Sequence, residues 1–409
     1  MISKEQLKAR SLLLIRRIMI GFISGLLVGL ICALLAHGIY FATGLRDRYP
    51  FLLFLMPLAG ILIACLYNIW DDLDDKGTNL VLTTIRGDTY LPLHKIPEVF
   101  FGTVLSHLAG ASVGRTGSAL QLGGNVAFNT ARLLGMDEED RKIATISGMG
   151  AAFTIMFSSP ISGAFFGMEV PHIGHFYYPA ILPCMIAAVT SHLTVQVLDV
   201  RPVTTLSIGV IPELTGKTAA FSLVIALLAA ILSAIYCELI QLSGKLHKKY
   251  VHVPYRRAFF GSLLFMVLYA LLANEQTGGD FYRGAGMDYV HLAIAGELPW
   301  FAFLLKILFC MISIFAGFRG GEIGPGLMIG ASFSALCARV FPVSPDLCAG
   351  VCMSAMLAGI TNCPVSALFF TFSLFGYHGA IYWMIGVVVG YACSGHSSIY
   401  AEQNLLHPK

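Results

Sequence analysis

Gly114-Arg115-Thr116-Gly117-Ser118 stands inside a chain that is apolar along most of its length, and that conflict constrains the fold more than any other stretch. The residues are 56% hydrophobic and 12% charged, where ordinary soluble domains carry roughly 25% charge. The composition therefore predicts an all-α polytopic membrane protein. At membrane depth, irregular backbone survives only where protein buries it or a wet cavity meets it. The stretch continues as Ala119-Leu120-Gln121-Leu122-Gly123-Gly124. Glycines ahead of a new helix leave bare N–H groups at its start, and the partial positive charge there attracts anions without a cationic side chain. Two readings are open: an anion site at a broken helix within the bilayer, or a tight interhelical loop with glycines for packing.

The formal net charge of +3 is too small to suggest nucleic acid as a partner. Ten cysteines fall mostly in apolar runs, among them Cys32, Cys65, Cys184, Cys237, Cys310 and Cys393, with no CxxC pair. They read as reduced core residues, not as a disulfide or metal framework. No nucleophile–base set, metal spacing or nucleotide loop appears, so neither an enzyme nor a bound cofactor or metal is expected. Lys4, Lys8, Arg10, Arg16 and Arg17 precede the first apolar run and hold the N-terminus on the cytoplasmic side. That run is too long for a cleaved signal peptide, and no small-residue cleavage site follows it.

Residues 18–45 and 51–70 are long enough to cross a bilayer. Residues 71–76, Asp71-Asp72-Leu73-Asp74-Asp75-Lys76, read as a solvated acidic loop. Then the pattern breaks up. Residues 77–80 are a polar break, 96–111 are too short for a full span, and 118–134 form a half-helix or a steep one. An acidic turn at 136–140 feeds a helix over 141–158. Pro160 opens a short helix to Glu169, and 177–198 is a further span. The linker 201–217 is less basic and reads as external. Behind the apolar run 219–242 come Lys245, Lys248, Lys249, Arg256 and Arg257, a second cytoplasmic signal, so this span runs opposite to the first.

A faint internal repeat fits that reversal. Leu120-Gln121-Leu122-Gly123, Met149-Gly150-Ala151-Ala152 and Ser159-Pro160-Ile161-Ser162-Gly163 are echoed by Leu327-Met328-Ile329-Gly330, Met356-Leu357-Ala358-Gly359 and Cys363-Pro364-Val365-Ser366-Ala367. The expected organisation is a first inverted membrane repeat over 1–213 and a second over 214–409. In such transporters the site lies at the repeat interface near the midplane.

At these residues the chain resembles the CLC family of chloride channels and anion/proton antiporters. Gly114-Arg115-Thr116-Gly117-Ser118 matches the family's GREGP-type motif, and Gly320-Gly321-Glu322-Ile323-Gly324-Pro325 its GxFxP-type motif. Ser397-Ser398-Ile399-Tyr400 matches the stretch carrying the central tyrosine, and Gly77-Thr78-Asn79-Leu80 stands where most members have GSGIP. The resemblance implies a CLC-type fold of two inverted-topology repeats with broken, tilted helices. It also implies a homodimer with one anion pathway per subunit and no appended regulatory domain. The changed GSGIP motif, Val170 at the internal proton glutamate and Glu322 before Ile323 together look like the fluoride/proton antiporter branch. Thr116 replaces the family's gating glutamate, which competes with the anion and carries protons; threonine does not titrate near physiological pH.

By this resemblance the anion-binding and pathway residues are Thr78, Thr116, Gly117, Ile323, Gly324 and Tyr400, with Thr116 at the gating position and Glu322 the proton-handling candidate. Each has a plainer alternative. Tyr400 could be an interfacial anchor, Thr78 and Thr116 helix caps, and Glu322 an acid favoured by a helix dipole. Arg115 and Lys306 read as snorkelling or paired, and so does Glu238. Glu169 reads as a structural or vestibule contact, and Phe165, Phe166, Phe369 and Phe370 as core. The reading is a halide transporter of the inner (plasma) membrane, multi-pass with both termini cytoplasmic. It exports fluoride against protons, with coupling weakened at Thr116. The alternatives are a chloride-selective channel or chloride/proton exchanger, and a non-transporting scaffold or sensor.

Overall fold

The computed structural model describes residues 4–73, 75–87, 89–200, 206, 209, 211–250, 253–273 and 279–405. The first part holds α1 (Lys4–Arg48), α2 (Met56–Asn68), α3 (Thr78–Ile85), α4 (Lys95–Leu108), α5 (Thr116–Leu133), α6 (Glu138–Phe157), α7 (Pro160–Glu169) and α8 (Ile181–Val197). The second holds α9 (Gly216–Tyr250), α10 (Pro254–Leu272), α11 (Val290–Ala295), α12 (Ala302–Ala316), α13 (Ile323–Val340), α14 (Pro345–Thr361), α15 (Pro364–Phe375) and α16 (Ala380–Cys393). Of the linker expected outside, residues 201–205, 207, 208 and 210 lie outside the described residues, as does Asp74.

Among the described residues, six helical segments are long and apolar enough to cross a membrane. The first outruns its expected span of 18–45 and starts at Lys4, because Lys, Arg, Glu and Leu in the basic segment are strong helix formers. Large apolar side chains point outward along the peripheral helices, such as Phe22, Leu34, Phe54, Leu62, Val189 and Val388. A membrane supplies the apolar partner that water would not.

The centre is built differently. α6 and α14 are buried along nearly their whole length and rich in small residues, as expected of helices with no polar face. A Cβ on Gly123 of α5 would stand 2.4 Å from the Gly148 carbonyl oxygen of α6, and one on Gly148 would stand 2.3 Å from the Gly123 oxygen. Only hydrogens let these backbones touch. α6 opens on the expected acidic turn: the Asp137 carboxylate accepts from the Asp140 amide at 2.9 Å.

α7 and α15 meet face to face. The Ser162 hydroxyl donates to the Ser366 carbonyl at 2.8 Å, and the Ser366 hydroxyl donates to the Ser162 carbonyl at 2.9 Å. Phe165 stacks on Phe369 with centroids 5.2 Å apart, and Phe166 stacks on Phe153 at 4.3 Å. A two-residue strand, β1 (His172–Ile173), pairs in parallel with β2 (Asn404–Leu405) and draws the C-terminal stretch under α7.

The cysteines need one correction. None of the ten forms a disulfide and eight are buried, but Cys65 and Cys393 are exposed. They lie on α2 and α16, whose outer faces are apolar, so an apolar run did not mean an interior position.

Candidate anion site

Two glycine-rich breaks meet at the centre of the molecule. The Gly114 amide donates to the Gly321 carbonyl and the Gly321 amide to the Gly114 carbonyl, both at 2.7 Å. The fit tolerates no side chain: a Cβ on Gly321 would stand 2.1 Å from the Gly117 nitrogen. This exchange brings the starts of α5 and α13 together.

Both starts are bare. The first backbone bond of α5 runs from the Ala119 amide to the Arg115 carbonyl, 3.0 Å, and that of α13 from the Gly326 amide to the Glu322 carbonyl, also 3.0 Å. The amides of Thr116, Gly117, Ser118, Ile323 and Gly324 precede those bonds, and Pro325 has no N–H to satisfy. Neither start has a side-chain cap, so Thr116 does not act as one.

A cavity of about 200 Å³ opens beside this junction, with Thr78, Ser118, Gln121, Glu322 and Tyr400 on its wall. Thr116, Gly117, Ile323 and Gly324 are buried and do not line that wall. Tyr400 is 3% exposed, and its hydroxyl is buried with no hydrogen-bond partner among the described residues. Its backbone is fixed by the Ser398 hydroxyl, 3.0 Å from the Tyr400 amide, and by the Ile399 amide on the α14 carbonyl of Ile360, 3.0 Å. Anchored this way, Tyr400 sits in the cavity wall with its hydroxyl unpaired among the described residues.

Thr78 opens α3, and its hydroxyl donates to the Gly117 carbonyl at 3.3 Å. Its amide is therefore the donor it has left to offer. Glu322 precedes α13. A carboxylate oxygen lies 3.6 Å from where a Cβ on Gly117 would stand, and the Tyr236 hydroxyl donates to the Glu322 carbonyl at 3.0 Å. The one carboxylate at the junction is thus carried by the second break and faces the first.

Other ionisable residues are accounted for away from the junction. Arg115 reaches the Met156 carbonyl in the last turn of α6 at 3.5 Å, where a helix C-terminus favours a cation. Of the two readings for Lys306, pairing holds: it is fully buried and donates to the Phe281 and Gly284 carbonyls at 3.0 and 2.8 Å. Glu238 accepts from the Ser397 hydroxyl at 3.2 Å. Glu169 makes a structural contact: its two oxygens accept from the Val365 and Ser366 amides, 3.0 Å each, at the start of α15.

The acidic stretch 71–76 is a loop solvated only in part: Asp71 and Lys76 are exposed, Asp72 is half-buried, and Asp74 lies outside the described residues. The Asp75 side chain is 2% exposed and is shared by Lys95 at 2.7 Å and Arg319 at 3.2 Å. Lys95 also meets Asp72 at 2.7 Å and Glu98 at 3.3 Å. Burial pushes the Asp72 carboxyl up, but hydrogen bonds from Lys95 and His94 outweigh it and hold it below the usual aspartate range. Oxygen and nitrogen atoms of Asp72, His94 and Glu98 come within 4.8 Å of one another, as metal ligands would. The Lys95 ammonium already supplies the cation there. Sequence reading missed Arg319 and Gln121, both on the cavity wall. Arg319 stands in a Gly-rich break between motif and helix, and a charge there was the available signal.

The profile of the voltage gated chloride channel family matches residues 59–395. A protein named chloride/fluoride channel protein from Pseudomonas syringae pv. tomato is 31% identical over 386 residues, covering 94% of this chain and 85% of that protein. An H(+)/Cl(-) exchange transporter of Yersinia pestis is 23% identical over 292 residues, 67% of this chain and 59% of that one. Among solved structures, a CLC-type fluoride/proton antiporter superimposes with a TM-score of 0.89 at 27% identity, covering 98% of this chain and 99% of that chain. A slow cyanobacterial Cl−/H+ antiporter shares the fold at TM-score 0.79 and 17% identity. The chain therefore belongs to the voltage gated chloride channel (CLC) family of anion channels and transporters, with an all-α fold embedded in the membrane.

Proposed function

We propose that the chain exports fluoride through a pathway passing the Gly114–Gly321 junction, with proton coupling weakened by Thr116. One observation carries the reading: two bare helix starts meet beside a buried tyrosine hydroxyl that has no partner among the described residues. Amides and a phenol offer partial charges, and partial charges let an anion leave as well as bind. Fluoride is small and strongly hydrated, so its shell must be replaced by close donors. The ligands are the amides of Thr78, Thr116, Gly117, Ile323 and Gly324 with the Tyr400 hydroxyl. Glu322 is the carboxylate that handles protons. The Pseudomonas syringae relative's name and the solved fluoride/proton antiporter support fluoride as the cargo.

The chain works as a homodimer in the inner membrane, as two inverted repeats over 1–213 and 214–409 with both termini cytoplasmic. Apolar side chains exposed on α7, α8 and α16, including Ile161, Leu193, Ile381 and Met384, suit such a contact. The second reading is chloride transport, favoured by the named chloride exchanger among the relatives.

The test is a proteoliposome assay that follows fluoride efflux, chloride efflux and proton uptake together. Fluoride efflux well above chloride, with little proton uptake, is expected. Chloride preferred over fluoride would favour the second reading, and strong uphill proton movement would overturn the uncoupling. Flux no greater than in empty liposomes would leave a scaffold or sensor.

A further inference from the structure

We propose that Arg319 forms a second, weaker halide site at the mouth of the cavity, where the passing anion takes the place of the Asp75 carboxylate on the guanidinium. The proposal rests on the anion-transport reading above and adds a stage to its pathway. The cavity that reaches Glu322 and Tyr400 also has Asp75, Lys76, Arg257 and Arg319 on its wall. That wall carries Lys76, Arg257 and Arg319 against Asp75 and Glu322. An anion entering this cavity from open water meets these side chains, and a wall that is net positive among the described residues draws it in.

Arg319 is held in place but not used up. Its backbone amide donates to the Ser106 hydroxyl at 2.9 Å. Its guanidinium carbon stands over the Tyr67 ring, 4.0 Å from the centroid, a contact that suits arginine better than lysine. One nitrogen meets Asp75 at 3.2 Å, while Nε makes no hydrogen bond among the described residues. The planar fork keeps donors for a second acceptor.

Asp75 is built to let go. Its other oxygen meets Lys95 at 2.7 Å, a shorter contact than the one to Arg319. When a halide arrives at Arg319, Asp75 stays paired with Lys95, so no charge is stranded. When the halide leaves, the carboxylate returns. An arginine without this competitor would hold the anion too firmly for passage. Asp75 precedes Gly77 and Thr78, and Arg319 precedes Glu322. The pair therefore ties together the two segments that lead to the junction.

The test uses the full chain, in detergent for calorimetric titration with sodium fluoride or sodium chloride, and in proteoliposomes for efflux against halide concentration. Arg319→Gln is expected to raise the half-saturating halide concentration severalfold, and Arg319→Lys to recover part of that loss. Asp75→Asn is expected to act in the opposite sense, with severalfold tighter halide binding and slower maximal flux. A merely structural ion pair predicts parallel losses from Arg319→Gln and Asp75→Asn, and that result overturns the proposal. If Asp75→Asn does not fold, the arginine variants decide alone: equal behaviour of Arg319→Gln and Arg319→Lys overturns it. An unsubstituted chain that moves no halide overturns the transport reading itself. One that moves halide with an unchanged concentration dependence in every variant overturns only the mouth site.

Discussion

Among the described helix starts that lie at breaks in the apolar pattern, that of α15 is filled where those of α5 and α13 are bare. At α15 the Glu169 carboxylate sits on two successive amides, Val365 and Ser366, at 3.0 Å each. At α5 and α13 the corresponding amides face no side-chain cap. The filled start shows what a bound anion looks like in this protein: two backbone donors, with no cation within ion-pairing distance among the described residues. Under the proposed anion pathway, filling is structural at one place and transient at another. Glu169 is tethered, so α15 is locked; the bare starts can trade their occupant.

The comparison breaks most sharply at the junction glycines. Gly321→Ala puts a Cβ 2.1 Å from the Gly117 nitrogen, whereas Gly324→Ala meets nothing nearer than the Ala285 side chain at 3.1 Å. Overpacking against backbone should cost about 3 kcal/mol. Gly321→Ala should lower the thermal midpoint in detergent and abolish flux, with Gly324→Ala far milder. Equal effects would mean that the two breaks do not depend on close approach.

Tyr400→Phe removes the free hydroxyl and leaves the packing. Hydrogen bonds to charged partners are worth about 1.5–3 kcal/mol, so halide binding should weaken by roughly tenfold or more, with stability unchanged. Unaltered affinity in calorimetric titration would take Tyr400 out of the site. Thr116→Glu sharpens the contrast from the other side, because it gives α5 the titratable occupant that α15 already has. Proton uptake per halide released should rise, and an unchanged ratio would show that a carboxylate there is not enough.

Glu169→Gln keeps one acceptor for α15 but loses the charge. It should cost about 1 kcal/mol, read as a lower thermal midpoint, with halide affinity intact. The smallest effect lies outside the helices. Asp72 has its folded pKa depressed, so its pairing with Lys95 and His94 stabilises the chain at neutral pH and is lost as pH falls below the ordinary value of 3.8. The chain and its Asp72→Asn variant should therefore differ slightly in thermal midpoint near pH 7 and converge below that value. A gap that persists in acid would assign Asp72 a role other than charge pairing.

Much of this was legible in the residues, because backbone requirements write themselves into sequence. Glycine and proline marked both breaks and the short helix from Pro160 to Glu169, which is reproduced to the residue. Side-chain partners were less legible. Asp75 looked solvated because its loop is acidic, yet its burial depends on Lys95 and Arg319, which lie far along the chain. Lys306 read as snorkelling or paired, with no way to choose, because carbonyl partners have no sequence signature; Phe281 and Gly284 supply them through a loop between two helices. Cys65 and Cys393 failed for a third reason. In a bilayer an apolar run faces lipid as readily as protein, and hydropathy cannot separate the two.

The earlier and later parts of the chain are stitched at several places: Gly114 to Gly321 and Ser162 to Ser366, each by a reciprocal pair of hydrogen bonds, and also Glu169 to Val365 and Ser366, Asp75 to Arg319, and β1 to β2. Parts joined at several separated points cannot rock past one another without releasing some of these contacts. Breaking the two reciprocal pairs alone in every cycle would be an outlay of about 4 kcal/mol at about 1 kcal/mol each. Opening and closing is left to what those stitches do not hold: individual side chains turning within a stationary frame.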